Sequence, residues 1–313
     1  ILLTVNSKND ETNAVSGFER PDSVLRREDF IAFKANWNPK SINLFEAAKE
    51  LTLLPESFVF LDDNPAERAI VKDQFPGVAV PEINGVEHYI QVLDKSGFFE
   101  VTALSQDDLK RNEMYLGNAK RQQMQASFAN YADYLKSLEM KGEIKTFVPM
   151  YISRIAQLTN KSNQFNLTTK RYSQSEIEEA ANASDHITLY GKLSDKFGDN
   201  GVVSVVIGRI DGPKQDELHM ELWLMSCRVL KRNMEFAMMD ELVKISKETG
   251  IRKIIGYYYP TAKNAMVKDF YALQGFSKVS EDTEENTVWE YIIPENYINK
   301  QSVITVNAES DIK

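Results

Sequence analysis

The stretch Val59-Phe60-Leu61-Asp62-Asp63-Asn64-Pro65-Ala66-Glu67 decides how the N-terminal half of the chain folds. A short apolar run ends there in two adjacent carboxylates, and a helix start follows, with Asn64 as its N-cap and Pro65 at its first position. Glu67, three residues after the cap, completes the signature. We therefore expect a buried strand that delivers Asp62 and Asp63 to its carboxyl end, which is where ligands bind in open α/β sheets.

The two neighbouring carboxylates allow two interpretations. Adjacent carboxylates repel each other unless a cation lies near them, and Mg²⁺ prefers a few carboxylates together with water and phosphate oxygens. This interpretation predicts Asp62 and Asp63 as metal ligands. In the alternative interpretation the pair is an acidic turn that only caps a helix, a role that suits Asp-Asp-Asn-Pro equally well.

Composition narrows the class of protein. The chain has 313 residues, of which 42% are hydrophobic and 27% charged, and its net charge is −9. This length predicts two domains, and the acidic balance argues against partners such as nucleic acid or an anionic membrane. No apolar run approaches the roughly 18 residues of a membrane span. Cys227 is the single cysteine, which excludes an internal disulfide and predicts a cytoplasmic protein.

Two further positions resemble phosphate-binding sites in their local context. Residues 1–5 predict a strand and residues 10–20 a helix, so Ser7 would offer a hydroxyl at a strand end close to a helix start. Lys40 follows Pro39 directly before a predicted helix over 42–51, where it can offer a charge to a phosphoryl group. The alternatives are a capping serine in a turn and a solvated lysine.

The order strand, Ser7, helix; loop, Lys40, helix; strand, Asp62-Asp63, helix is typical of a doubly wound α/β fold. On these residues the chain resembles the haloacid dehalogenase (HAD) phosphatase superfamily, with Ser7, Lys40 and the aspartate pair in the places of its second, third and fourth motifs. More narrowly, the chain resembles the FkbH-like subfamily in three strings: Ser7-Lys8-Asn9-Asp10, Asn38-Pro39-Lys40-Ser41 and Phe60-Leu61-Asp62-Asp63-Asn64-Pro65-Ala66-Glu67-Arg68.

The HAD resemblance implies roles for these residues. Ser7 and Lys40 would hold the phosphoryl group of a small phosphorylated substrate, Asp63 would bind Mg²⁺, and Asp62 would position Lys40 or the metal. HAD enzymes also carry an Asp-x-Asp motif on their first strand, and no such motif precedes Ser7 here. We therefore expect a further strand and helix upstream, and no turnover of phosphate esters without them.

The rest of the chain predicts a different kind of domain. We expect a partial HAD-type, Rossmann-like parallel-sheet domain over 1–104, a helical connector over 105–143 and an α+β domain over 144–313, with a polar tail over 296–313 that is mobile or an edge segment. Residues 159–169 are rich in amides and hydroxyls. They form either a polar binding site or a loop bonded to itself.

Helices, a strand meander and a strand-helix-strand-helix-strand order in this second part resemble the GNAT acyltransferase fold. One segment that carries the resemblance opens the helix after residue 225. By it, Arg228, Lys231, Arg232 and Asn233 would hold the pyrophosphate of coenzyme A, although Lys231 and Asn233 stand where GNAT enzymes have glycines. Cys227 beside them is expected to be a buried, inert thiol.

The other segment is Asn264-Ala265-Met266-Val267-Lys268-Asp269-Phe270-Tyr271-Ala272-Leu273-Gln274-Gly275-Phe276. The resemblance implies that Asn264 contacts the pantetheine arm and that Tyr271 protonates the leaving thiolate. The alternative interpretation makes Phe270 and Tyr271 core aromatics and Gly275 a helix C-cap.

Together these resemblances imply a Mg²⁺-dependent phosphatase or phosphotransferase fused to an acyltransferase-like domain. Its cofactors would be Mg²⁺ and acetyl-CoA or a phosphopantetheine thioester, and it would pass an acyl group from an acyl phosphate to the thiol of an acyl carrier protein. The alternatives are an acetyl-CoA-dependent N-acyltransferase and a non-catalytic module that binds phosphopantetheine or a carrier protein.

Overall fold

The structure, a computed structural model, describes residues 1–51, 53–100, 109–212 and 214–307, without the side chains of residues 111, 112 and 123. The chain forms two compact units, Ile1–Ala119 and Lys120–Lys313. The expected domain boundary at residue 104 and the start of the expected connector lie outside the described residues. No helix of the described ranges is long and apolar enough to cross a membrane.

The first unit is built from short helices around a small parallel sheet. Its elements are β1 (Leu3–Ser7), α1 (Glu11–Ser16), β2 (Phe30–Ala35), α2 (Lys40–Glu50), α3 (Pro65–Gln74), α4 (Tyr89–Ser96) and the beginning of α5 (Arg111–Gln125). β1 and β2 form a two-stranded parallel sheet. One apolar cluster of this unit contains Leu44 of α2, Val71 of α3 and Phe60, which precedes α3. Another cluster contains Ile31 of β2 and Ala47 of α2.

The predicted strand before Asp62 is only partly formed. Val59 makes one parallel bridge with Ala79, and the Phe60 N–H donates to the Ala79 carbonyl at 2.8 Å. A longer strand needs a neighbour on its other edge, and among the described residues β1 pairs with β2 alone. The helix start after Asp62 is as predicted, because Pro65 opens α3 and the Asn64 side chain accepts the Ala66 N–H at 2.9 Å.

The second unit contains one large sheet with helices on both faces. Its elements after α5 are α6 (Tyr131–Ser137), β3 (Met140–Lys145), α7 (Ile152–Lys161), α8 (Gln174–Asn182), β4 (His186–Asp195), β5 (Gly198–Asp211), β6 (Glu217–Met225), α9 (Met234–Glu248), β7 (Lys253–Tyr258), α10 (Phe270–Leu273), β8 (Ser277–Glu281), β9 (Thr287–Ile292) and β10 (Ile304–Val306). The eight strands lie in the order β10-β3-β4-β5-β6-β7-β9-β8.

Alternating side chains of the long strands feed two cores. Val203 of β5 packs in a cluster with Leu242 of α9, whereas its neighbour Val202 packs in a cluster with Ile155 of α7, as the two-residue period of a strand requires. β3 to β6 pair antiparallel and β6 pairs parallel with β7. The predicted fold class, a parallel-sheet α/β unit followed by an α+β unit, is confirmed.

The pairing of β6 with β7 is short, and this shapes the second unit. It joins Glu217 to Lys253 and His219 to Ile255. Beyond these pairs, residues 165–168, which we call the closing segment, contact both strands: the Leu167 N–H donates to the Trp223 carbonyl of β6 at 3.1 Å. The Leu167 carbonyl accepts the N–H of the residue that follows β7.

The tail is an edge segment as far as the structure describes it. β10 pairs parallel with β3, and the Asn307 side chain bonds both the N–H and the carbonyl of Ile144. Residues 304–307 therefore form an edge segment, which is one of the two alternatives predicted for the tail.

Candidate functional site

Lys40 and Asp62 form an ion pair in the first unit. Lys40 is the first residue of α2, and its Nζ lies 2.5 Å from Asp62 Oδ2. The two side chains are 14% and 2% exposed. Asp62 Oδ1 accepts the Asn64 backbone N–H at 2.9 Å. Both oxygens of this carboxylate are therefore hydrogen-bonded to donors, and the bond to Lys40 is of the strong, charge-assisted kind.

The carboxyl end of β1 lies at the same edge. Asn6 Nδ2 donates to the Lys40 carbonyl at 2.7 Å, and Asn43 Nδ2 donates to Asn6 Oδ1 at 3.2 Å. On the far side of Ser7, Lys8 Nζ lies 2.5 Å from Glu67 Oε1 of α3. The contacts on both sides of Ser7 thus tie β1 to the starts of α2 and α3, so the three positions predicted from separate motifs are brought to one edge.

Asp63 differs from Asp62 in its surroundings. Asp63 is exposed, and Arg68 fixes the turn by donating to the backbone carbonyls of Asp62 at 2.7 Å and of Asp63 at 3.1 Å. No group of three or more His, Cys, Asp or Glu residues within the described ranges could hold a metal. Mg²⁺ commonly binds through one or two carboxylates and keeps several waters. Asp63 fits that role as it stands, whereas Asp62 is already bonded to Lys40.

A cavity of about 490 Å³ adjoins this edge. Residues 1–6 and 57–61 line it, together with Asn43, Phe98 and Tyr115. Asn43 is fully buried, and its Oδ1 has no hydrogen-bond partner in the structure. The described residues give β1 no strand partner other than β2. The cavity is therefore bordered by an unpaired strand edge and by a buried acceptor that lacks a donor, which is a costly combination.

The predicted pyrophosphate loop of the second unit has the backbone shape of a glycine loop. Lys231 and Asn233 have φ values of 62° and 64°, the left-handed conformation that glycine adopts without strain. The Lys231 carbonyl accepts the Tyr131 hydroxyl at 2.7 Å. Arg228 donates through Nε to the hydroxyl of Ser226 at 3.2 Å.

Arg232, which the resemblance assigns to the pyrophosphate, is bonded within the chain instead. Its guanidinium is buried, lies 3.3 Å from Asp195 Oδ2 and donates to the Arg228 carbonyl at 2.8 Å. Asp195 also bonds Arg121 at 2.7 Å. Burial, with the charge of Arg121 close by, lowers the pKa of Arg232 to about 10. The structure thus places this side chain in an internal ion-pair network.

Asn264 is fully buried, and both ends of its side-chain amide are hydrogen-bonded within the chain. Nδ2 donates to the carbonyls of Asn166 at 3.0 Å and Tyr259 at 2.9 Å, and Oδ1 accepts the Thr261 N–H at 2.7 Å. These contacts hold the closing segment against the chain that follows β7. They take up both donors that a pantetheine arm would need from this side chain.

Tyr271 is a core residue. Its hydroxyl accepts the Tyr257 N–H at 3.2 Å, and its ring packs against Phe276 and Trp289. Burial raises the pKa of Tyr271 above its usual range. The ring also lies so close to Gly256 that an added Cβ would come within 2.3 Å of it. These contacts are those of the alternative interpretation, in which Tyr271 is a core aromatic.

The amide-rich loop bonds to itself, to the residues that directly follow it and, through Leu167, to β6. Asn166 Oδ1 accepts the Thr169 N–H at 2.9 Å, Asn160 Nδ2 donates to the Tyr172 carbonyl at 3.0 Å, and Arg171 donates to Asn163 Oδ1. Cys227 directly precedes the predicted pyrophosphate loop in sequence. Burial raises the pKa of its thiol. Cys227 is half-buried and not fully buried as expected, and the raised pKa of its thiol agrees with an inert role.

Sequence reasoning missed a polar cluster around Glu221 of β6. Its carboxylate lies 3.3 Å from the Tyr172 hydroxyl, 3.5 Å from Arg209 Nε and 3.8 Å from Lys170 Nζ. Burial, with the charge of Glu221, raises the pKa of Tyr172 above its usual range. The signal was the alternation of Glu217, His219 and Glu221 with apolar residues along a strand.

No protein-family model matches the chain, and no curated protein matches it. Among solved structures, the chain is similar to the N-terminal part of a Bacteroides fragilis protein that contains a phosphatase domain, complexed with Mg. The identity is 40%, over 33% of this chain and only 28% of that chain, with a TM-score of 0.32. The GNAT domain of PAT from S. lividans is 15% identical over 48% of this chain and 89% of that one, with a TM-score of 0.39. PaiA N-acetyltransferase from Thermoplasma acidophilum, in complex with coenzyme A, is 16% identical over 49% and 99%, with a TM-score of 0.36.

Proposed function

We propose that the first unit binds the phosphoryl group of a small phosphorylated substrate, as part of a Mg²⁺-dependent phosphatase or phosphotransferase. The observation that carries this proposal is the buried ion pair of Lys40 and Asp62 at the starts of two helices. A lysine held by a carboxylate next to a helix N-terminus offers fixed positive charge to an anion. Asp62 orients this charge, and the hydroxyl of Ser7 supplies a further hydrogen bond to the phosphoryl oxygens.

Asp63 is the residue that would hold Mg²⁺. Its carboxylate is exposed beside the ion pair, and Asp62 contributes only where Lys40 releases one of its oxygens. The metal, when bound, supplies positive charge to the phosphoryl oxygens. Lys40 then orients the phosphoryl group, and its bond to Asp62 holds the ammonium group in place.

The proposed chemistry also needs the two aspartates of an Asp-x-Asp strand. The cavity beside β1 supports a place for such a strand, because an extended backbone there would pair with the open edge of β1 and offer an N–H to Asn43 Oδ1. The intact mass and N-terminal sequence of the protein from its native cell test this requirement. A mass well above 35.7 kDa with an upstream Asp-x-Asp supports it, and a protein that hydrolyses phosphate esters without such a motif contradicts it.

The finer proposal is an FkbH-like protein that moves an acyl group from an acyl phosphate to the thiol of an acyl carrier protein. In that reaction the bond between the acyl carbon and the phosphate oxygen breaks and a carbon–sulfur bond forms. Inorganic phosphate leaves and takes up the thiol proton. The motif strings around Ser7, Lys40 and Asp62 support this proposal.

The experiment measures binding and turnover together. The protein is titrated with Mg²⁺ and inorganic phosphate by calorimetry, and is then incubated with acetyl phosphate and a phosphopantetheinylated carrier protein whose mass is followed. Phosphate binding that depends on Mg²⁺ and on Lys40 supports the first proposal, and its absence contradicts it. Acylation of the carrier that is lost in Asp63→Asn supports the finer one, whereas acylation unchanged in that variant contradicts it.

A further inference from the structure

We infer that the second unit does not bind coenzyme A, because the chain's own closing segment fills the opening between β6 and β7 and takes up the side-chain amide of Asn264, the residue that its GNAT resemblance assigns to the pantetheine arm. This inference concerns the second unit alone and does not rest on the proposed phosphoryl site. It argues against acetyl-CoA as a cofactor of this unit, on three separate sets of contacts.

The first set consists of backbone hydrogen bonds. The Leu167 N–H donates to the Trp223 carbonyl at 3.1 Å, the Met225 N–H donates to the Phe165 carbonyl at 3.0 Å, and the Tyr259 N–H donates to the Leu167 carbonyl at 2.9 Å. The segment therefore bonds β6 on one side and the end of β7 on the other. These backbone groups of β6 and of the residue after β7 are therefore already paired within the chain and are not open to a ligand.

The second set consists of side-chain packing. Leu167 and Asn166 are fully buried, and the Phe165 ring packs edge-on against Phe270 at a centroid distance of 5.3 Å. Thr168 Oγ1 donates to the Glu221 carbonyl at 2.7 Å. Asn264, the residue that the resemblance assigns to the pantetheine arm, donates to the Asn166 carbonyl instead. The segment is thus part of the core and not a loose loop over an open cleft.

The third set lies at the predicted pyrophosphate loop. The Tyr131 hydroxyl bonds the Lys231 carbonyl, and Arg232 is committed to Asp195. Glu235 lies in the first turn of α9 and is half-buried, with one carboxylate oxygen that has no partner. A carboxylate at a helix N-terminus occupies the position that favours an anion and repels a pyrophosphate there.

Calorimetry and thermal unfolding of the full chain with coenzyme A and acetyl-CoA test the inference. A ligand with micromolar Kd, present at about 1 mM, raises Tm by several degrees. We expect no heat of binding and no shift of Tm at that concentration. Saturable binding with a Kd below about 100 μM would overturn the inference.

Hydrogen exchange tests whether the opening between β6 and β7 is closed or is an open site that binds coenzyme A weakly. We expect the amides of Leu167, Met225 and Tyr259 to exchange slowly, as core amides do, and coenzyme A to leave their rates unchanged. Exchange as fast as that of surface loops, or faster exchange on adding coenzyme A, would mean that the segment leaves the opening and that the inference is wrong.

A charge-neutral variant tests whether the closing segment or the charge of Glu235 excludes coenzyme A. Glu235→Gln removes the carboxylate charge but keeps the shape of a side chain whose buried Oε2 has no hydrogen-bond partner in the structure, so the fold should persist. We expect this variant to remain unable to bind coenzyme A, because the closing segment is untouched. A gain of at least tenfold in affinity would show that repulsion alone excludes the cofactor and would overturn the inference.

Discussion

Lys40 and Asp62 are 22 residues apart in sequence, yet Lys40 Nζ and Asp62 Oδ2 lie 2.5 Å apart in a nearly water-free contact. The pair links the first residue of α2 to the turn before α3. A buried pair of this kind is hard to break from one side, because the remaining charge keeps its desolvation penalty and loses its partner. The first two predictions follow from this contact.

Lys40→Ala should lower the free energy of unfolding by about 3 kcal/mol, because Asp62 is left buried without its cation. It should also abolish binding of inorganic phosphate. Urea unfolding and calorimetry measure the two effects. Lys49→Ala, a change of the same kind at an exposed position of the same helix, is the control and should leave both quantities nearly unchanged. Equal effects of the two substitutions would contradict the assigned role of Lys40.

Asp62→Asn and Asp63→Asn should separate positioning from metal binding. Asp62→Asn weakens the bonds to Lys40 and to the Asn64 N–H, and we expect it to lower Tm by several degrees. Asp63→Asn changes an exposed carboxylate and should leave Tm within about a degree of wild type. It should nevertheless remove Mg²⁺ binding, followed by calorimetry. Mg²⁺ affinity that survives Asp63→Asn would rule out Asp63 as the ligand.

Leu167→Ala should destabilise the second unit by about 2–5 kcal/mol, because the side chain is fully buried in the closing segment and its loss leaves a cavity. Chemical unfolding monitored by tryptophan fluorescence gives the value. Leu273→Ala makes the same change at a side chain that is 73% exposed, and it should cost less than about 0.5 kcal/mol. A small effect of Leu167→Ala would mean that the segment is not part of the core.

The thiol of Cys227 should react slowly in the folded protein. Burial raises the pKa of this thiol, so less of it is the reactive thiolate at neutral pH than in an exposed cysteine. The rate with Ellman's reagent should therefore rise with pH up to higher values than for a free cysteine, and should increase strongly on unfolding in guanidinium chloride. Equal rates in the folded and unfolded protein would show that the half-buried position does not protect this thiol.

The local features of the first unit could be predicted well from the sequence. Asn64 and Pro65 predicted the start of α3, and the Asn64 side chain does cap it. The start of α2 was predicted two residues late, because Pro39 serves as the N-cap and Lys40 already belongs to the helix. The strand before Asp62 was overestimated, since a strand needs a neighbour and Val59 makes only one bridge.

In the second unit, the motifs did not predict the partners of the candidate site residues. Lys231 and Asn233, which stand where GNAT enzymes have glycines, do have a left-handed backbone. The partners of Arg232, Asn264 and Tyr271 were not predictable, because each is set by a segment distant in sequence. Asn264 and Asn166, for example, are 98 residues apart.

The sequence by itself determined the start of α3 and the fold class of both units. These depend on interactions within one turn of chain or on the period of apolar residues, and both can be read locally. Only the tertiary structure decided that Lys40 pairs with Asp62, that Arg232 pairs with Asp195 and that residues 165–168 close the opening between β6 and β7. A buried polar group must find a partner wherever packing supplies one, and that partner is chosen by how distant segments meet.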